Sequence, residues 1–517
     1  MQLALSHNGA AIKARRAPKL ALKPLAVLTV AIALTGCAIS PTPITLDERQ
    51  TDVRAERADL FKNQEPVAGP IALDEAMARA VKYNLDFRLK QMEEALAQRQ
   101  LDLANFDLLP KLTAAAGYSN RSNQNASSSY SVITGQQSLE PSVSSDDEGS
   151  TASLTLSWNI LDFGVSYFQA KQQADRALVA QERRRKTIHL VMQQVRQAYW
   201  QAAGAQALEG KIGPVLEQAR AALADSRKIE AEKLQSPLET LNYQRQLLDI
   251  IRQLEAINDE LSQAKPKLAS LMNLEPGKAY QLAMPSELGT PAISMPLDKM
   301  EETALLNRPE LMEARYNERI SLNETRKAIA RLLPGIQFDI GDNYDSNSFL
   351  VNNEWRSAGV RVSWNLLGVF NARSVLQAAD AQSEIARNQK LAMSMAVLTQ
   401  TQVAYRDYLG RKRQFELSSD LDGVERRILD HTRNAARNDA QGRLAEIRAA
   451  ASSLMSELRR YQSYGALQGA YGQVLATLGL DPLPKGVPNY DLSTLTQAIQ
   501  SMESRWDDTV SKDGKAG

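Results

Sequence analysis

Few side chains in this chain could do covalent or acid–base chemistry. Its 517 residues include one cysteine, Cys37, and three histidines, His7, His189 and His431. A histidine-based metal site needs ligands that can converge on one ion. His189 and His431 are widely separated, and no second cysteine can join them. There is no G-x-S-x-G nucleophile elbow, no phosphate-cradling Walker loop and no G-x-G-x-x-G dinucleotide turn. Paired carboxylates and the run "RRRK" at 183–186 lie in stretches that read as helical, where such charge is taken as a solvated face. The reading is non-enzymatic, with no catalytic residue, no metal ligand and no cofactor. A net charge of +1 leaves no electrostatic footprint for nucleic acid.

Cys37 has a different chemistry. Lys13, Arg15, Arg16, Lys19 and Lys23 precede the apolar run "PLAVLTVAIALTG", which ends at Cys37 in "LTGC". Basic start, short apolar core and small residues are the order of an export signal. The end of the run resembles a bacterial lipobox. That resemblance implies cleavage before Cys37 and a covalent lipid on its sulfur, with Ala38 favouring the outer membrane. Residues 1–36 are then a signal peptide and 37–71 a lipidated N-terminal linker. Removing the five basic residues from 61 leaves 56 against 60 acidic side chains, so part of the positive charge belongs to targeting.

The body of the chain is written twice. "LDEAMARAVKYNLDF" at 73–87 faces "LDKMEETALLNRPEL" at 297–311, and "LLP" ends at both Pro110 and Pro334. "SWN" holds Trp158 and Trp364, and "LASLMNLEP" to Pro276 faces "LATLGLDP" to Pro482. The repeats are therefore 72–276 and 296–482, with an inter-repeat linker at 277–295 and a C-terminal tail at 483–517. The first repeat has extra residues between Pro110 and Trp158, rich in Ser, Asn and Gln, that read as an exposed loop.

Each repeat predicts one hairpin, at about 111–160 and about 335–367. Ile336, Phe338 and Ile340 alternate with Gln337 and Asp339. Val360, Val362 and Trp364 alternate with Arg361 and Ser363, and Leu154, Leu156 and Trp158 with Thr155 and Ser157. The weakest strand, "KLTAAAGYS", puts Leu112, Ala114, Ala116 and Tyr118 on its more apolar side. A lone hairpin is marginal in water, and in a membrane only a closed barrel satisfies every backbone group. Four strands cannot close a spanning barrel, whereas three chains giving four each supply twelve. Trp158, Trp355 and Trp364 are placed where an aromatic girdle is expected.

Between the hairpins run very long helices. Some 70 good helix formers follow Phe370, a rod of about 100 Å. Ala378, Ala381, Ile385, Ala392, Ala396 and Val403 make a heptad-like seam, and the first repeat has its own at Ala170, Ala174, Ala177, Ile188, Val191, Val195 and Ala198. "GP" at Gly213–Pro214 predicts a bend. The fold class is mainly α with a small β part: long antiparallel coiled-coil helices plus two β-hairpins.

Lipobox, duplicated helix–hairpin–long-helix order, "LLP" and "SWN" together resemble the TolC-like outer-membrane efflux proteins over about 72–482. The resemblance implies a homotrimer whose two β-hairpins per chain form a 12-stranded outer-membrane barrel on a periplasmic tunnel of helices, joined to a periplasmic adaptor protein and an inner-membrane pump. In that family the long helices turn at a glycine-containing tip that gates the pore. The matching positions are Ser236 and Gly442, 206 residues apart. Six and nine residues beyond, where several members carry gate aspartates, this chain has Asn242 and Arg448, then Arg245 and Ala451. Glu239, Arg443, Glu446 and Arg448 are the remaining tip candidates, the alternative being a solvated helix end.

The expected function is an outer-membrane channel-tunnel, lipid-anchored, exporting substrates from the periplasm as the exit duct of a tripartite efflux or type I secretion system. The alternative is a coiled-coil envelope lipoprotein or adhesin without a pore. Small drugs, unfolded protein and polysaccharide all stay open as cargo.

Overall fold

The computed structural model describes residues 41–138, 140–232, 236–285, 287–436, 442–483 and 491–512. Cys37 and the signal segment lie outside them. Two units separate, at Lys62 and Asn63. In the first, α1 (Leu46–Leu60) is a helix within the stretch read as a linker. Its signal was in the sequence: Thr45 and Glu48 form a capping box, each side chain accepting from the other's backbone N–H.

The second unit repeats one order of elements. The first repeat runs α2 (Leu73–Tyr83), α3 (Leu85–Phe106), β1 (Lys111–Asn120), the short β2 (Ala126–Ser127) and β3 (Ser142–Val143), β4 (Glu148–Asn159), α4 (Ile160–Ala231) and α5 (Pro237–Leu271). The second runs α6 (Leu297–Asn307), α7 (Pro309–Ala330), β5 (Gly335–Asp345), β6 (Glu354–Ser363), the short α8 (Leu366–Phe370), α9 (Ala372–Ala436) and α10 (Gly442–Thr477). α4 has 72 residues and continues through Pro214 without a break in the helix.

The duplicated phrases now have physical reasons. "LLP" closes a helix with tight turns: Leu108 N–H donates to Asn105 O and Leu109 N–H to Phe106 O, as Leu332 N–H does to Ile329 O and Leu333 N–H to Ala330 O. Proline then starts an extended segment. In "SWN" the asparagine caps the helix leaving the strand. Asn159 Oδ1 accepts from the Leu161 and Asp162 N–H groups, and Asn365 Oδ1 from Gly368 N–H.

The strands form one antiparallel sheet in the order β1-β4-β5-β6. Its register carries all four predicted apolar sets onto one face: Leu112 pairs with Leu156, Leu156 with Ile340, and Ile340 with Ala358. The helices continue that order. α3 packs on α4, α4 on α7 and α7 on α9, so each strand runs into a helix that keeps its neighbours. In the other half of the rods α5 lies on α4, α4 on α10 and α10 on α9.

A core midway along the rods gathers α2, α6 and the linker (Leu282, Met295) against α4, α9 and α10. The expected C-terminal tail also belongs to it. α11 (Leu492–Lys512) buries Leu495, Ile499, Trp506 and Val510 there. Arg196 of α4 ties it down through Glu503, and Tyr471 of α10 donates to Asp507. The "RRRK" run is not merely solvated either. Arg183 lies 2.7 Å from Glu313, Arg184 2.7 Å from Glu94, Arg185 2.9 Å from Asp481 and Lys186 3.7 Å from Glu310. Successive residues of one helix point to different sides, so the run pins α4 to α3 on one side and α7 on the other.

Candidate functional site

Two regions are the candidates for a functional site: the sheet with its open edges, and the turns that join the long helices at Ser236 and Gly442.

On the sheet, Leu112, Leu154, Leu156, Trp158, Ile340, Val360 and Val362 share one face and are each 42–66% exposed. Among the described residues, no helix covers that face as a soluble core would. The opposite face holds Thr113, Thr155, Ser157, Asp339 and Arg361. An apolar outside and a polar inside are the requirements of a membrane strand. β1 and β6 are the free edges, and unpaired backbone on an edge is a template for another strand. Among the described residues, no helix is long and apolar enough to cross a membrane.

The helical edges are open on the same two sides. On α3, Leu85, Leu89, Met92, Leu96, Leu103 and Phe106 form an exposed stripe at heptad spacing. On α9 the predicted seam of Ala378, Ala381, Ile385, Ala392, Ala396 and Val403 is mostly exposed, with Ile385 at 50% and Val403 at 61%. Within the chain α9 instead buries Val397, Ala404, Tyr408 and Phe415. The first repeat's seam behaves differently: Ala170, Ala177, Ile188, Val191, Val195 and Ala198 are buried, because α4 has neighbours on both sides.

At the turns, Pro237 occupies the first position of α5, where its missing N–H costs nothing. Ser236 precedes it and makes no side-chain cap; its carbonyl accepts from the Thr240 N–H and hydroxyl. Gly442 opens α10. The coil above is held by Leu208, Ile212, Val215 and Ala219 of α4, Leu247, Ile250 and Leu254 of α5, and Ile447, Ala450 and Leu454 of α10.

The expected tip charges find other partners than each other. Arg443 lies 3.5 Å from Asp225 of α4. Arg448 donates to Gln246 Oε1 of α5. Glu446 lies 3.8 Å from Arg433 of α9. Glu239 is exposed in the first turn of α5, where a carboxylate suits the helix dipole, and has no ion-pair partner among the described residues. Asp225, Gln246 and Arg433 were missed because each sits on the other arm of a coil, at a register that only packing sets. Burial lifts the Tyr243 phenol above its ordinary range, with Arg443 pulling it down and Asp225 pushing it up.

Sheet, continuous helices and paired turns together give a fold shared with solved outer-membrane channels. Residues 77–274 match the family described as Outer membrane efflux protein. The Campylobacter jejuni CmeC outer membrane channel has the same fold, with a TM-score of 0.62 at 14% identity over 92% of this chain and 94% of that one. The outer-membrane channel OprN gives 0.60 at 18%, over 79% and 89%. The outer membrane protein VceC from Vibrio cholerae gives 0.59 at 14%, over 79% and 96%. No curated protein matches the sequence.

Proposed function

We propose that three copies of this chain close into one barrel and tunnel, a duct that exports substrates from the periplasm to the outside. The observation that carries this reading is that both layers of the chain open on the same two edges, β1 with α3 and β6 with α9. A heterologous contact joining one edge to the other closes into a ring when the rotation fits. It would pair β6 of one copy with β1 of the next and lay the α9 seam against the α3 stripe. Every exposed apolar set described above then gains a partner or a lipid face.

The duct has no energy source of its own, and a periplasmic adaptor and an inner-membrane pump would supply it, in tripartite efflux or type I secretion. Lipid on Cys37 would hold the mature N-terminus at the membrane. The turns near Ser236 and Gly442 would set the narrowest aperture, since a tunnel through the envelope leaks if its far end stands open. The test is direct. The purified protein should sediment in detergent as a trimer and conduct ions in a planar bilayer. A monomer without conductance would leave a coiled-coil spacer as the better reading.

A further inference from the structure

The polar face of the sheet has one exception. Residues on that face are Lys, Ser, Thr, Ala, Gly, Asn, Gln, Asp and Arg along all four strands, except at Trp355. Trp355 pairs with Asn343, which pairs with Ser153, which pairs with Ala115. That row faces away from Trp158, Phe338 and Val360. Trp158 shares the apolar face on which a girdle is expected, whereas Trp355 lies on the polar face, which would line the interior of a closed barrel. A girdle ring belongs on the lipid side, so membrane anchoring does not explain an indole here.

Beside it the face is hollow. A concavity of ≈ 420 Å³ is floored by Ala115, Gly117, Thr151 and Ser153 and bordered by Trp355 and Asp345. The small floor leaves the indole, 45% exposed, standing above it. Asp345 is the one charged residue lining this space. The basic residues of the same face, Lys111 and Arg361, lie toward the opposite ends of their strands, where Lys111 pairs with Ser157 and Arg361 with Gln337. An aromatic face near an unopposed carboxylate attracts a flat cation through the ring quadrupole and the charge together.

We propose that Trp355 and Asp345 form a contact site in the pore wall for flat aromatic cations on their way out. The site rests on the duct reading, since it needs the polar face to line a lumen. It would repeat three times around the barrel near the outer mouth and slow such molecules relative to round cations of similar charge.

Single-channel recording on the full-length trimer in a planar bilayer tests it. Berberine serves as the flat aromatic cation and tetraethylammonium as the non-aromatic one. Trp355→Leu should shorten berberine blockades about 3–10-fold and leave tetraethylammonium unchanged. Trp355→Phe, which keeps a ring, should stay nearer wild type. Asp345→Asn should lower the frequency of berberine events; the amide oxygen can still accept the bond that Asp345 Oδ1 takes from Asn347 N–H at 3.0 Å. Trp158→Leu, on the lipid face, should change nothing. A conducting Trp355→Leu channel with unchanged berberine dwell overturns the site and spares the duct. So does equal shortening by Trp158→Leu. A wild-type protein that never conducts overturns the duct, and the site with it.

Discussion

Changing Leu89 and Leu96 to Ala tests the ring closure where its energy is concentrated. The two side chains are 54% and 58% exposed on α3. Full burial of a leucine is worth ~1.5–3 kcal/mol, so the half still open leaves ~1 kcal/mol each for a neighbouring α9 to recover. Two residues at three interfaces amount to ~6 kcal/mol, of which alanine keeps a part, leaving a loss of ~4 kcal/mol per trimer. That loss weakens the trimer association constant by ~10³. Because three monomers enter, the concentration at half-assembly rises as the square root, about 30-fold. Sedimentation in detergent across a dilution series reads this midpoint, and far-UV circular dichroism checks that the helices persist. They should, since the substituted surface is solvent-facing in the single chain. Leu190→Ala is the control: it is 51% exposed on α4, an interior helix of the four. A double variant that dissociates at the wild-type concentration, with helicity intact, would refute the edge-to-edge ring.

Three further outcomes are expected. Arg443→Ala and Asp225→Ala should each raise bilayer conductance and admit vancomycin to cells; an exposed pair is worth only ~0–1 kcal/mol, but symmetry repeats it three times. The double variant should add little to either single change, and equal, independent increments would show that the two residues do not act as a pair. Cys37→Ala should abolish processing and acylation at that site, which mass spectrometry of the mature membrane protein would report. An epitope in the turn at Val132 and Ile133, both at least 95% exposed, should label on intact cells. The stretch near Ser144 is a worse place for it. Ser144 O accepts from Asn347 Nδ2 at 3.1 Å, and Asp146 accepts from Ser348, so an insertion there unlatches the two outer loops.

Much was legible in the residue order because it rests on local physics. Alternation with a period of two marked all four strands and their apolar face, since the pleat sends successive side chains to opposite sides. The duplication, the loop in the first repeat and the asparagine after each tryptophan were likewise readable from spacing. The heptad seams were visible as seams. Their partners were not: a stripe on Ile188, Val191 and Val195 and one on Ala378, Ala381 and Ile385 look alike in one dimension. Only the order α3-α4-α7-α9 makes α4 interior and α9 an edge, so one seam closes within the chain and the other stays open. The same holds for the tip, where Arg443 meets Asp225 across a coil register that no local pattern encodes. It holds for the C-terminal stretch, whose Trp506 and Val510 become core only because α2 and α10 leave a place for them. Trp355 counts as one more girdle aromatic in the sequence reading, although its odd offset from Val360 already put it on the polar face; what the structure adds is an unbroken register from Asn343–Trp355 to Phe338–Val360, with no bulge to reset that parity.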